Sequence, residues 1–178
     1  TTASNNEAVG YAALTANVTG TLNVAIGTFA LGAYLSSTST AVGYAALSLA
    51  TGVENQAFGS RAMQNTTTGS ENTAVGRSAM VTNTSGAFNV AVGKQALENS
   101  TTASNNTSVG YQALKANTTG HTNTAVGKVA LKAVTTGTDN IGLGVDAGGG
   151  ITTATQNLML GNYSGNHERS GNGSVNIC

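Results

Sequence analysis

Few residues in this chain can do acid–base, nucleophilic or metal chemistry, and those few are scattered. The two histidines, His121 and His167, lie far apart, and each reads as a lone surface side chain. Cys178 is the only cysteine, so neither an intrachain disulfide nor a cysteine-based metal cluster can form. The only aspartates are Asp139 and Asp146, too few for the repeated nonapeptides that hold calcium in some β-rolls. One pair comes closer to a catalytic arrangement. Glu54 and Glu71 hold the same place in successive repeats, each five residues before a glycine. On adjacent coils they would stack about 5 Å apart, near the separation of the two carboxylates of a retaining glycosidase. Against that chemistry, no cleft-building insertion surrounds the pair, no aromatic platform is nearby, and Arg61 and Arg77 are available to neutralise it. The expectation is a protein that is not an enzyme, with no catalytic, cofactor-binding or metal-ligating residue.

The element that positions every side chain is the repeat itself. Glycines stand at Gly10, Gly27, Gly43, Gly59, Gly76, Gly93, Gly110, Gly127, Gly144 and Gly161, with seven of nine steps 17 residues long and two of 16. Four residues before the glycine is asparagine, with Ser39 the one exception. Two before it is usually alanine, with Met159 the large departure, and immediately before it an apolar residue such as Val75 or Ile26. Three after it is alanine in nine repeats and Ser164 in the tenth. Four after it is leucine or methionine until Gly148 and Gly165. The apolar residue among small and polar ones predicts a short β-strand with one face inward. The glycine permits a bend or a close backbone approach. Stacked asparagines can pair their amides along a ladder of identical turns. The Gly-x-x-Ala-Leu segment is too short for a helix and is closed by Asn, Thr and Gly. A second glycine ten residues on (Gly20, Gly69, Gly86, Gly120, Gly137, Gly171) reads as the turn that begins the next lap.

The expected fold is therefore all-β: a parallel β-roll or β-solenoid of about ten turns, one repeat per turn. Residues 1–178 read as a single repeat domain, regular over 1–140 and drifting over 141–178, where Gly148-Gly149-Gly150 and His167-Glu168-Arg169 depart from the pattern. The opening Thr1-Thr2-Ala3-Ser4-Asn5-Asn6 recurs in phase at Thr101 to Asn106, and an eleventh turn is starting at Cys178, so the chain reads as a window of a longer repetitive protein. Charged residues are only 8% of the chain and the net charge is zero, but the hydrophobic content of 39% lacks the usual signature of disorder. Each turn offers about two sizeable apolar side chains, a thin core for a lone coil, and side-by-side association of chains would thicken it.

Blocks such as Asn23-Val24-Ala25-Ile26-Gly27 and Asn89-Val90-Ala91-Val92-Gly93 resemble the head repeats of bacterial trimeric autotransporter adhesins. The longer unit, Asn123-Thr124-Ala125-Val126-Gly127-Lys128-Val129-Ala130-Leu131, is similar to repeats of phage tail-fibre proteins. The resemblance covers essentially the whole chain. It implies a left-handed β-roll packed as a homotrimer, and an extracellular setting on a virion tail fibre or a bacterial surface. The function expected is that of a structural fibre or shaft segment that spaces or presents a receptor-binding tip. The alternatives are a receptor- or glycan-binding adhesin head and, further off, a glycan-cleaving spike.

The position just after the glycine varies freely and so faces out. Four consecutive turns present Arg77, Lys94, Tyr111 and Lys128 there, a strip that could meet a host-surface glycan or protein, with Tyr111 stacking on a sugar or on a neighbouring cation. The plainer reading is a solvated ladder. Glu98, Lys115 and Lys132 form a second line, suited to exposed ion pairing of little energetic worth. Thr-Thr pairs recur beside the turn, where a flat ice-binding face is not expected. Neutral charge argues against a nucleic-acid partner, no apolar stretch is long enough to insert in a membrane, and no signal peptide is visible.

Overall fold

The computed structural model describes residues 3–32, 37–166 and 171–178. Among these residues the only regular elements are eleven strands of three residues. They are β1 (Glu7–Val9), β2 (Val24–Ile26), β3 (Thr40–Val42), β4 (Gln56–Phe58), β5 (Thr73–Val75), β6 (Val90–Val92), β7 (Thr107–Val109), β8 (Thr124–Val126), β9 (Ile141–Leu143), β10 (Leu158–Leu160) and β11 (Val175–Ile177). All eleven lie in one parallel sheet in chain order, a β-solenoid that climbs one coil per repeat over about ten turns. Register never slips: Ala25, Ala41, Ala57 and Ala74 pair in succession. The two 16-residue steps leave that pairing intact, so the missing residue is taken from the loops. Pairing also continues without a break through β9, β10 and β11, where the sequence drifts.

Parallel strands need a crossover of a dozen or more residues. A 17-residue step less a three-residue strand leaves 14, close to that minimum. The crossover stays this short because three residues per turn adopt left-handed backbone. In the turn of Gly76 these are Glu71 (φ 58), Ser78 (φ 57) and Met80 (φ 50); in that of Gly110 they are Asn105 (φ 59), Gln112 (φ 56) and Leu114 (φ 48). Each costs on the order of 1 kcal/mol in a residue with a Cβ. The ladder bonds of the coils above and below must hold them there.

Inside each coil stand the two alanine columns and one large side chain. Leu31, Leu47, Met63, Met80, Leu97, Leu114 and Leu131 are fully buried, as are Ala25, Ala41, Ala57, Ala74, Ala91 and Ala125 at the strand centres. Ser108 replaces one of these alanines and stays satisfied by donating to the Ala113 carbonyl at 2.8 Å. The expectation of two buried large apolar groups per turn is thus met by one. The residue before the glycine points outward, with Phe58 41% exposed and Val75 38%. Strand alternation is the reason: when the central alanine faces in, both of its neighbours face out.

The drift at the end of the chain has a packing explanation. Gly148 (φ 65) and Gly165 (φ 64) sit in the left-handed column that leucine or methionine occupies elsewhere. Met159 holds a strand-centre place that is alanine, Ser108 or Gly142 in the turns before it, and its side chain takes up the room that Gly165 leaves, while Leu131 and Ile151 close on Gly148 with Met159 at their edge. A Cβ on Gly165 would lie 2.9 Å from Met159 Cε, and one on Gly148 3.4 Å from Met159 Cγ. The bulk has moved from the loop column to the strand column, and the coil keeps its girth.

A polar seam runs beside this apolar core. The buried asparagines Asn55, Asn72, Asn89, Asn106, Asn123, Asn140 and Asn157 bond in series. Asn89 Nδ2 donates to Asn72 Oδ1 (3.1 Å) and to the Ala103 carbonyl (2.8 Å), and its backbone N–H donates to the same Asn72 oxygen (3.0 Å). Its own Oδ1 accepts the backbone N–H and the Nδ2 of Asn106 at 3.0 and 3.1 Å. Ser39 keeps part of this pattern, since its hydroxyl oxygen accepts the Asn55 N–H at 3.2 Å. The second glycines belong to the same seam. The carbonyls of Gly69, Gly86, Gly120 and Gly137 each accept an asparagine Nδ2.

Candidate functional site

The position after the glycine does face outward. Arg77, Lys94, Tyr111 and Lys128 are all exposed, and the constant register sets them on successive coils, about 4.8 Å apart along the axis. Lys94 Nζ lies 5.9 Å from the centroid of the Tyr111 ring, within the range of a cation–π contact. Among the described residues the one ion pair joins Lys115 Nζ to Glu98 Oε2 at 3.0 Å, which leaves Arg77, Lys94 and Lys128 without a carboxylate partner. The strip is therefore a line of free cations with one aromatic ring in it. It can hold anions arrayed along the axis.

Beside it runs a small amide and carboxylate network. Gln112 Nε2 donates to Gln95 Oε1 (2.9 Å), Gln95 Nε2 donates to Glu98 Oε1 (2.7 Å), and Glu98 meets Lys115 as above. These bonds tie two adjacent coils together, those that follow Gly93 and Gly110. The second line expected from the sequence is thus in part present, while Lys132 stands exposed and outside the pair.

Elsewhere the reactive groups do not converge. Glu54 and Glu71 are exposed, and neither is ion-paired with Arg61 or Arg77. His121 Nδ1 lies 3.0 Å from Thr122 Oγ1, which in turn donates to Asp139 Oδ1 at 2.6 Å. Thr138 Oγ1 adds a bond to Asp139 Oδ2 at 3.1 Å. The Thr122 and Thr138 hydroxyls, helped by the nearby His121 ring, hold the Asp139 carboxyl below its ordinary range. All of this sits in open solvent without a cleft. Among the described residues no three of His, Cys, Asp and Glu come together as a metal site. His167, Glu168 and Arg169 lie outside the described residues.

The threonine pairs are tied to their own backbone. The hydroxyls of Thr51, Thr67, Thr84, Thr101, Thr118 and Thr135 each donate to a carbonyl of the next coil. They serve as an outer ladder.

One cluster is not apparent from any single column. Tyr11, Phe29 and Tyr44 stack edge to face, with ring centroids 5.6 and 6.2 Å apart. Phe29 stands two residues after its glycine and the tyrosines one after theirs, so reading one column at a time separates rings that the coil brings together. Noting that eight aromatics in all include three on consecutive turns would have flagged it.

No protein-family model, no curated protein and no solved structure matches this chain. Among the described residues no helix is long and apolar enough to cross a membrane.

Proposed function

We propose that the chain is a shaft segment of a surface or virion appendage, built from three copies packed side by side. One observation carries this reading: the outward face of the sheet presents an apolar column along its length. Val9, Ile26, Phe58, Val75, Val126, Leu160 and Ile177 are all exposed on it. A sheet that buries one face on a thin core and leaves the other both apolar and exposed is stable in water when a second surface covers it. Copies of the same repeat offer a matching surface at the same spacing. The number three, the left-handed coil and the extracellular setting follow from the resemblance to adhesin and tail-fibre repeats. In this role the rod spaces a receptor-binding tip, and its length is set by the number of repeats.

Light scattering tests it. The native mass should be three times the 17.5 kDa of one chain. Replacing Val75 and Val92 together by lysine should release folded or partly folded monomers, since charges facing each other across an apolar seam are expelled. A folded monomer of the unaltered chain would overturn the proposal.

The free cations of Arg77, Lys94 and Lys128 favour a second reading, an adhesin head that grips an acidic host glycan. If cell attachment is unchanged after Arg77→Ala with Lys94→Ala, that reading is removed while the shaft stands.

A further inference from the structure

Two of the three stacked rings, Phe29 and Tyr44, line a groove of about 310 Å³ together with Gly32, Ala45, Ser48 and Gln64. Its size is at the low end of small-molecule sites, enough for one or two sugar rings. Three departures from the repeat meet here. The steps from Gly27 to Gly43 and from Gly43 to Gly59 are the two 16-residue turns of the chain. The positions five after those glycines carry Gly32 and Ser48, where later turns carry Glu98, Lys115 and Lys132. And aromatics replace the polar residues that follow most other glycines: Tyr11 is 74% exposed, Tyr44 49% and Phe29 43%. Small side chains open the floor, and large flat ones raise the walls.

We infer that this groove binds a neutral saccharide. The lining has no charged group. Aromatic faces offer an apolar surface that suits the C–H face of a pyranose. Above them Gln64, whose side-chain amide makes no bond within the fold, supplies a donor and an acceptor for sugar hydroxyls. The Ser48 hydroxyl, donating to the Gln64 carbonyl at 3.3 Å, keeps an acceptor lone pair free. The fold itself gains little from three exposed rings, since later turns build the same corner from Arg77, Lys94, Gln95 and Lys128. The groove stands on the segment after the glycines and leaves the apolar column of the strands untouched. Its occupation is thus independent of the shaft reading, and its lining residues are distinct from those of the cationic strip, which begins one coil beyond Gln64.

The test uses the full chain, in whatever oligomeric state it adopts, with ring-labelled tyrosine and phenylalanine followed by NMR during titration with maltotriose, cellotriose and chitotriose. At least one should give saturable shifts at Phe29 and Tyr44, with a Kd on the order of 1 mM, as expected for a shallow site. Tyr44→Ala should weaken that binding at least ~10-fold, one aromatic contact being worth about 1.4 kcal/mol. Ser48→Lys should abolish it. Lysine already occupies that place in the repeat at Lys115 and Lys132, so this variant fills the groove while keeping the fold, which an unchanged melting curve verifies. Shifts absent with all three sugars, or surviving Ser48→Lys, overturn the assignment. A response to dextran sulfate confined to Tyr111 instead would support the cationic strip and count against this groove.

Discussion

Gly76→Ala should be among the most damaging single methyl groups that can be added to the middle of this rod. Gly76 has φ 134, a region that residues with a Cβ scarcely enter. A Cβ placed there would stand 2.6 Å from both C and O of Gly93 on the next coil. The clash is with backbone, so no rotamer relieves it. The coils would have to part at the point where the Gly93 N–H donates to the Val75 carbonyl at 2.7 Å, breaking the ladder. A loss beyond about 4 kcal/mol is expected, the range reserved for strain at special backbone positions. Urea denaturation should show either a midpoint lowered by that amount or a two-step transition in which the halves of the rod melt apart. Gly173→Ala is the control: its φ is 70, and nothing lies within 4 Å of the added Cβ. It should cost no more than about 2 kcal/mol. Equal losses in the two variants would show that backbone conformation, and not the spacing of coils, sets the need for glycine.

Asn89→Leu should rank second. Leucine matches asparagine in size but removes an acceptor of two bonds and the donor of two others. The Asn106 backbone N–H and the Ala103 carbonyl would lose partners while fully enclosed. Each stranded group costs about 1–3 kcal/mol, so a total of about 3–5 kcal/mol is expected after the gain in apolar burial. Asn89→Ser should recover part of it, because the hydroxyl of Ser39 already receives the next asparagine's N–H in this chain. Hydrogen exchange at the Asn106 amide checks the mechanism directly: it should speed up strongly in the leucine variant and only modestly in the serine one. Unchanged protection in Asn89→Leu would mean that the seam is not held by its side-chain amides.

Much of this could be read from the residues alone, because a fixed period turns a sequence into a set of columns. The strand before each glycine, the buried leucines and the asparagine seam all follow from types that recur at one position. What did not follow is which flank of a three-residue strand faces out. Val75 and Ala74 are both apolar, and only the space beside Met80 decides that the smaller one fits inside. Nor does a column show why Leu131 gives way to Gly148. That needs the left-handed backbone there and the bulk of Met159 one coil away. The exposed strip of Arg77, Lys94, Tyr111 and Lys128 was legible because its members share a column. The Tyr11–Phe29–Tyr44 cluster was not, since its contacts run diagonally between columns. Exchange between neighbouring columns is invisible to a reading made down each one.

The asparagine seam also gives the rod a direction. From Asn72 to Asn157 one Nδ2 hydrogen of each seam asparagine is donated to the Oδ1 of the asparagine on the preceding coil, so these amide bonds run in one sense along the axis and polarise one another. Each coil therefore meets its neighbours through two unlike surfaces, as the links of a ratchet do. Copies packed side by side, as proposed above, would gain nothing by lying antiparallel, for the columns of one would run against those of the next. A solenoid made this way has a leading and a trailing end written into every turn, whatever its length.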